Sequence, residues 1–264
     1  MFSETVYWVG LFVVGFVAAT ILYNIAVRIQ LMALVDLLWT TGLGLAGVVY
    51  LISQSLVSFQ GYAVLTLLSI WSFRLSYHIF TDRVIRGKED PRYANLTEYW
   101  GDKAQKNFLF IFLGQVPLVA LFVLPVSVAM AVSVEGVRLV DFLAIGIALV
   151  ALIGEGVADR QLAKFRADPS NKGGVCKSGL WRYSRHPNYF FEWLHWWAYV
   201  SFAWGAENWW LSLLGPFAMF IFLRFVTGVP PAEKSSLKSR GEAYRKYQST
   251  TNAFFPWKPH DHLL

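Results

Sequence analysis

Residues 7–27 read YWVGLFVVGFVAATILYNIAV, twenty-one residues without a single carboxylate, lysine or arginine. A hydrocarbon core of ~30 Å is crossed by roughly 20 such residues in a helix. The stretch is too long for a signal-peptide core, has no basic flank before it and no Ala-x-Ala site after it, so it reads as a true span. Working outward, the same texture returns at Leu31–Ile52, Tyr62–Ile79, Phe108–Val132, Leu139–Ala158, Tyr189–Trp204 and Trp209–Val226. The chain of 264 residues is 56% hydrophobic and 15% charged, where a soluble domain is about 25% charged. The expected fold is therefore an all-α integral membrane bundle of seven transmembrane helices. The remaining sequence is too short for a separate soluble domain.

The formal charge of +6 raises nucleic acid as a partner, but its distribution argues against that. With the loops numbered alternately, 20 of the 23 lysines and arginines fall on one side and only Arg138 on the other; Arg74 and Arg224 lie within or at the end of spans. That is the positive-inside pattern. It predicts an N-terminus outside, a C-terminus in the cytoplasm, the lipid bilayer as partner and no nucleic acid. The expected location is a bacterial inner membrane, or the endoplasmic reticulum membrane in a eukaryote, and the expected state a monomer. A single cysteine, Cys176, allows neither an internal disulfide nor a CxxC metal site.

Two cytoplasmic loops are long, Thr81–Asn107 and Asp159–Pro187. After Pro230-Pro231 the tail reads as one amphipathic helix over Ala232–Tyr247, with Leu237, Tyr244 and Tyr247 on one face. Asn252–Trp257 is apolar and belongs at the interface or packed back on the bundle.

Ionisable groups inside spans cost about 2.5–3.5 kcal/mol each on insertion scales, so each needs a reason. They are Asp36, Arg74, Glu155, Asp159, Glu192, His195 and Arg224. Asp141 lies near an outer end, where it would wet the interface. Asp159 and Arg166 are two helical turns apart and share a face. They form either a helix-end ion pair or a polar wall for a cytoplasmic ligand. In Ser184-Arg185-His186-Pro187-Asn188, the proline opens a helix. Free N–H groups and the helix dipole there suit an anion, and Arg182 and Arg185 add phosphate donors. Asn188 and Glu192 follow one and two turns deeper. Alternatively, Glu192 pairs with Arg224 or Arg74 to hold the bundle. Asp36 stands near Trp39, and Tyr77 and His78 follow Arg74. Asp36 is either a structural partner of Arg74 or, kept protonated by burial, a hydrogen-bond donor to a carbonyl. His78 and His195 read as hydrogen-bonded core histidines. No motif points to a metal.

These residues resemble the steroid 5-alpha-reductase family over about Ile153–Pro259, and more weakly before that. The family's cofactor motif is an Asp, an Arg seven residues on, then a Tyr, an Asn and a Glu four after the Asn; here they are Asp159, Arg166, Tyr183, Asn188 and Glu192. Arg224 matches a further cofactor-contacting arginine. Asp36 stands where the family has a glutamate that, with a tyrosine, holds a 3-oxo group; Tyr77 is the tyrosine chosen here. The family's C-terminal arginine falls near Thr251, a departure.

The resemblance implies an NADPH-dependent oxidoreductase that reduces the C4=C5 bond of Δ4-3-oxosteroids or similar enone lipids. Residues 1–132 would serve mainly the substrate, through Asp36, Trp39, Arg74 and Tyr77. Residues 139–264 would serve mainly the cofactor, through Asp159, Arg166, Arg182, Tyr183, Arg185, His186, Asn188, Glu192 and Arg224. Asp36, Tyr77 and Glu192 are the expected catalytic set. Arg-His-Pro-x-Tyr is shared with isoprenylcysteine carboxyl methyltransferases, which use S-adenosylmethionine, and with sterol C14/C7(8)-type reductases. Phe191, where the methyltransferases have glycine, and Glu233-Lys234, where they have a Glu-Glu pair, favour the reductase. A non-catalytic lipid-binding or transport bundle is the remaining class; it would more often show broken mid-membrane helices in repeated halves.

Overall fold

The computed structural model describes residues 3–260, and among them all regular structure is helical, with no strand. The α-helices are α1 (Glu4–Ile29), α2 (Leu34–Ser53), α3 (Phe59–Ile79), α4 (Pro91–Trp100), α5 (Ala104–Met130), α6 (Leu139–Ala167), α7 (Pro187–Ala203), α8 (Leu214–Ile221), α9 (Val229–Arg240) and α10 (Glu242–Thr250). Six helical runs of the described residues are long and apolar enough to cross a membrane: Glu4–Ile29, Leu34–Ser53, Phe59–Ile85, Pro91–Met130, Leu139–Ala167 and Trp209–Thr250. The other window, Tyr189–Trp204, is α7. Its 17 residues reach only about 25 Å at ~1.5 Å per residue, short of a ~30 Å core. The seven expected spans thus become six of sufficient length and one shorter helix.

The chain divides into two compact units, Met1–Arg138 with Phe202–Leu214, and Leu139–Ser201 with Gly215–Leu264.

In the first unit α1, α2, α3 and α5 pack on one another. Without a hydrophobic drive between helices in lipid, close approach at small residues and interhelical hydrogen bonds supply the cohesion. A Cβ at Gly44 of α2 would lie 2.2 Å from Ser72 Oγ of α3, so only glycine admits this crossing. Beside it Ser72 Oγ donates to Thr40 O at 2.8 Å, and Thr40 Oγ1 bonds Ser76 Oγ at 2.8 Å. The outer flank of α1, including Val9, Val13, Val14, Val17 and Ile21, is exposed and apolar, as a lipid-facing surface would be.

The loop expected over Thr81–Asn107 contains α4. Asp90 caps it by accepting from Arg92 N at 2.8 Å, and Pro91 opens it. Tyr93 and Trp100 then pack edge-on against Phe108 of α5.

In the second unit α6 continues to Ala167, beyond the expected end at Ala158. The 3-10 turn Gly179–Arg182 docks on α6: Trp181 Nε1 donates to Ala158 O at 2.9 Å and Leu180 N to Gln161 Oε1 at 2.9 Å. The expected single tail helix over Ala232–Tyr247 is two helices. Gly241, at φ 50°, breaks it in a conformation that side chains resist. Tyr244 and Tyr247 are buried as expected. Asn252–Trp257 packs back on its own unit, with Phe254 only 2% exposed against Phe190, Trp193 and Phe220. Asp141, expected to wet the interface, is fully buried in α6.

Candidate functional site

In the first unit the residue that organises the polar cluster is Asp36, in the first turn of α2. Its Oδ1 accepts from Tyr93 Oη at 2.6 Å and its Oδ2 from Arg92 Nη2 at 2.7 Å. Arg92 is held from the other side by Asp90, through Nε at 3.1 Å and Nη2 at 3.1 Å, and Arg83 Nη2 reaches Asp90 at 2.9 Å. Glu89 takes the backbone N–H groups of Met32 and Ala33 and thereby fastens the start of α2 to this loop. Asp90 is held below the usual carboxylate range: burial pushes it up, but hydrogen bonds and charge from Arg92, helped by Arg83, outweigh that.

Two expectations change here. The tyrosine on Asp36 is Tyr93, not Tyr77, which is 61% exposed and stacked on Phe73. The arginine on Asp36 is Arg92, not Arg74, which belongs to α3. Asp36 accepts from both Tyr93 and Arg92, where one of the two readings of the sequence had it donate to a carbonyl. Tyr93 uses its one hydroxyl proton on Asp36. Arg92 Nη1 is engaged by no described residue, so the guanidinium is the group with a donor left for a ligand oxygen. Trp39 packs edge-on against Trp71 and Phe122. His78, expected in the core, is exposed.

An apolar cleft of about 590 Å³ also lies in this unit, between α1, α2 and α5. On α2 it is lined by Leu38, Thr41, Leu45 and Val49. At about 100° per residue these lie across the helix from Asp36, while Leu37, next to Asp36, lines the cleft as well.

In the second unit Asn188 Nδ2 donates to Asp159 Oδ1 at 3.2 Å. Two residues 29 positions apart are thus in contact, one about two turns before the end of α6 and the other at the start of α7. One turn along α7, Glu192 is 7% exposed and accepts from Trp196 Nε1 at 3.4 Å. A Cβ at Gly154 would fall 2.4 Å from the Phe191 ring, so the two helices touch there. Contacts at Asp159–Asn188 and Gly154–Phe191 make α7 antiparallel to α6. Glu192 lies toward Glu155, which is also 7% exposed, and Arg166 lies the other way, at the exposed end of α6. His195 is 1% exposed and bonded to Tyr199 Oη at 2.7 Å, the core histidine expected.

Arg185 and His186 are occupied elsewhere. Arg185 Nε donates to Glu233 Oε1 at 2.7 Å, and its Nη1 donates to the carbonyls of Gln248, at 3.0 Å, and Thr251. His186 Nε2 meets Glu233 Oε1 at 3.3 Å, and Gln248 Nε2 donates to Glu233 Oε2 at 2.8 Å. These two residues, expected at an anion site, instead lock α9 and α10 to the start of α7. Burial, with the charges of Arg185 and Arg224, holds His186 below the usual histidine range against the pull of Glu233. Near neutral pH the ring is therefore uncharged and donates Nε2–H to the carboxylate. Arg182 and Tyr183 are exposed, and the Tyr183 carbonyl accepts from Trp257 N at 2.9 Å. Arg224 lies over the Phe225 ring at 5.1 Å.

Tyr93, Arg92 and Asp90 were not singled out from the sequence, and Glu233 was noted only in the comparison with the methyltransferases, not as the partner of Arg185 and His186. The only signal for the first three was Glu-Asp-Pro-Arg-Tyr at 89–93, a cap and proline that announce a helix. For its structural role Glu233 gave no signal beyond its place in an amphipathic tail.

No solved structure matches the chain. An uncharacterized protein of Schizosaccharomyces pombe, C594.04c, is 26% identical over 292 residues, covering 97% of this chain and 82% of that protein. Residues 22–251 match the family described as "Protein of unknown function (DUF1295)". That match takes in both polar clusters and more than half of the chain, and the protein belongs to the DUF1295 family.

Proposed function

We propose that the chain is a membrane-embedded reductase of a conjugated C=C bond in a lipophilic 3-oxo compound, with NADPH as hydride donor. The Δ4-3-oxosteroids implied by the motif resemblance are the first substrates to try. The observation that carries this reading is the contact between Asn188 and Asp159 with Glu192 one turn further on. It gathers in one place three residues whose spacing drew the comparison with the steroid 5-alpha-reductases. The basic side of the bundle is read as cytoplasmic, with the N-terminus outside.

The second unit fits a dinucleotide in part. Asn188 offers an amide, and Glu192 a buried carboxylate, for the carboxamide of a nicotinamide. Arg166, Arg182 and Arg224 offer cationic donors for phosphates. Arg185 and His186 do not take part, because Glu233 and the tail carbonyls hold them. When bound, NADPH supplies the hydride that goes to the β-carbon of the enone.

The first unit supplies the field for the carbonyl. Arg92 Nη1 donates to the 3-oxo oxygen, and its charge meets the negative charge that grows on that oxygen as the enolate forms. The interaction is strongest when charge has developed, which is what accelerates the step. Asp36 and Asp90 hold the guanidinium between them. Tyr93, fixed on Asp36, keeps the carboxylate oriented. A proton, supplied ultimately by water, completes the saturated ketone at the α-carbon.

Calorimetry on the purified protein in detergent tests the cofactor. Binding of NADPH with no binding of S-adenosylmethionine supports the reductase. The reverse result replaces it with the methyltransferase reading.

A further inference from the structure

At the end of α6 the chain forms an open cavity of about 320 Å³, lined among others by Arg166, Asp168, Lys172 and Arg240. Its wall is pinned at several points. Asp168 Oδ1 accepts from Ser170 N at 2.9 Å, and Asn171 Nδ2 donates to Phe165 O at 3.1 Å. Gly174 N bonds Asn171 O at 2.8 Å, and Arg240 Nε, from the end of α9, donates to Gly174 O at 2.8 Å. The loop is therefore held from both α6 and α9, with Arg240 fastened to it and Lys172 exposed beside it. Three of the lining side chains are cationic and one, Asp168, is anionic, a net charge of +2. A phosphomonoester carries about −1.5 to −2 near neutral pH.

The position of the cavity is as informative as its charge. Arg166 is seven residues past Asp159 and eleven past Glu155 on one continuous helix. At ~1.5 Å per residue that is about 10 Å and about 16 Å. Because α7 runs antiparallel to α6, the order along the unit is Glu192, then Asn188 with Asp159, then the Arg166–Lys172–Arg240 cavity. In NADPH the 2′-phosphate lies at the end remote from the nicotinamide.

We propose that this cavity binds a phosphomonoester dianion, and that the group it takes is the 2′-phosphate of NADPH, making Lys172 and Arg240 the residues that select NADPH over NADH. The choice of that phosphate rests on the dinucleotide reading above; the phosphomonoester chemistry does not. The same chemistry is offered by a phosphatidate headgroup in the surrounding bilayer, so the test separates the two sources.

Binding is measured for NADPH, NADH, 2′,5′-ADP and 5′-AMP by calorimetry, and for phosphatidate against phosphatidylcholine in nanodiscs. Each is run on the wild type, on Lys172→Ala and on Arg240→Lys. Lys172 is exposed and its removal leaves the loop's pinning bonds in place. Arg240→Lys keeps the charge where a full truncation would free Gly174. A charged hydrogen bond corresponds to roughly 10–100-fold in affinity. The expected result is NADPH favoured over NADH, and 2′,5′-ADP over 5′-AMP, by at least that factor. Lys172→Ala then weakens only the 2′-phosphorylated ligands, by about tenfold or more.

If neither dinucleotide binds but phosphatidate does, in a Lys172-dependent way, the dinucleotide reading falls and the phosphomonoester cavity stands with the lipid as its ligand. If NADPH and NADH bind equally to the wild type, the cavity proposal is overturned and the dinucleotide reading survives. If Lys172→Ala changes no ligand, the proposal is overturned as well.

Discussion

Glu233→Gln should loosen the second unit more than any other single-atom change there. Glu233 Oε1 receives Arg185 Nε at 2.7 Å and His186 Nε2 at 3.3 Å, and Oε2 receives Gln248 Nε2 at 2.8 Å. The side chains of Arg185 and Glu233 are only 10% and 16% exposed, so water does little to replace the lost charge. Removing one partner of a buried pair costs about 3–5 kcal/mol, mostly from the stranded partner charge. Glutamine keeps the shape and one acceptor, which places the change at the lower end, near 3 kcal/mol. For a chain of this size that is a fall of roughly 6–12 °C in Tm. Cys176 makes the assay selective: it is the sole cysteine, it lies in this unit, and it is 5% exposed with its thiol pushed up by burial. A maleimide dye that fluoresces on reaction, followed during heating in detergent, reads the opening of this unit alone. A shift of less than about 2 °C, under ~1 kcal/mol, would show that Glu233 does not hold the tail, and Arg185 and His186 would return to the list of ligand donors.

Three further outcomes follow from the same contacts. Gly154→Val places a branched side chain where even a Cβ would lie 2.4 Å from Phe191; overpacking of this kind costs about 1–3 kcal/mol, visible as a lower dye midpoint and weaker NADPH binding. Tyr93→Phe leaves Asp36 without one of its two donors and should slow enone reduction about tenfold, the equivalent of ~1.4 kcal/mol, while Tyr77→Phe leaves the rate unchanged; equal effects would restore the tyrosine chosen from the sequence. Asp90 is held below its unfolded value, near 3.9, so its contribution is present above that pH and is lost as pH falls toward the folded value. The first unit should therefore lose stability below about pH 4, read by tryptophan fluorescence, with a flatter profile in Asp90→Asn.

The helical membrane architecture was legible because apolar runs of this length have few alternatives, and six of the seven windows reappear in helices long enough to span. The shorter window at Tyr189–Trp204 was legible as a helix but not as a full crossing. Asp159 and Asn188 were each singled out as members of a spaced motif, but their bond to each other was not read from the sequence. Tyr93 was not. It lies 57 residues from Asp36 in a polar stretch read as loop, whereas Tyr77 sits inside an apolar span, where a hydroxyl draws more attention. Arg185 and His186 looked like ligand donors because the loop from Pro169 to Pro187 holds no acid. Their carboxylate is Glu233, 47 and 48 residues on, and only the fold brings it there. Asp141 was misplaced for a related reason: position near a helix end does not decide which face a residue takes.

The central claim is hydride transfer, and one single-turnover experiment addresses it. Protein in detergent is loaded with NADPH carrying deuterium at both positions on the nicotinamide C4 and mixed with a Δ4-3-oxosteroid, and the product is analysed by mass spectrometry and NMR. The account predicts one deuterium at C5, the β-carbon, in one product molecule per NADPH oxidised, with the rate sharply reduced in Arg92→Ala and Glu192→Gln. Saturated product without deuterium at C5, or NADPH that binds and is never oxidised by any enone offered, would contradict it.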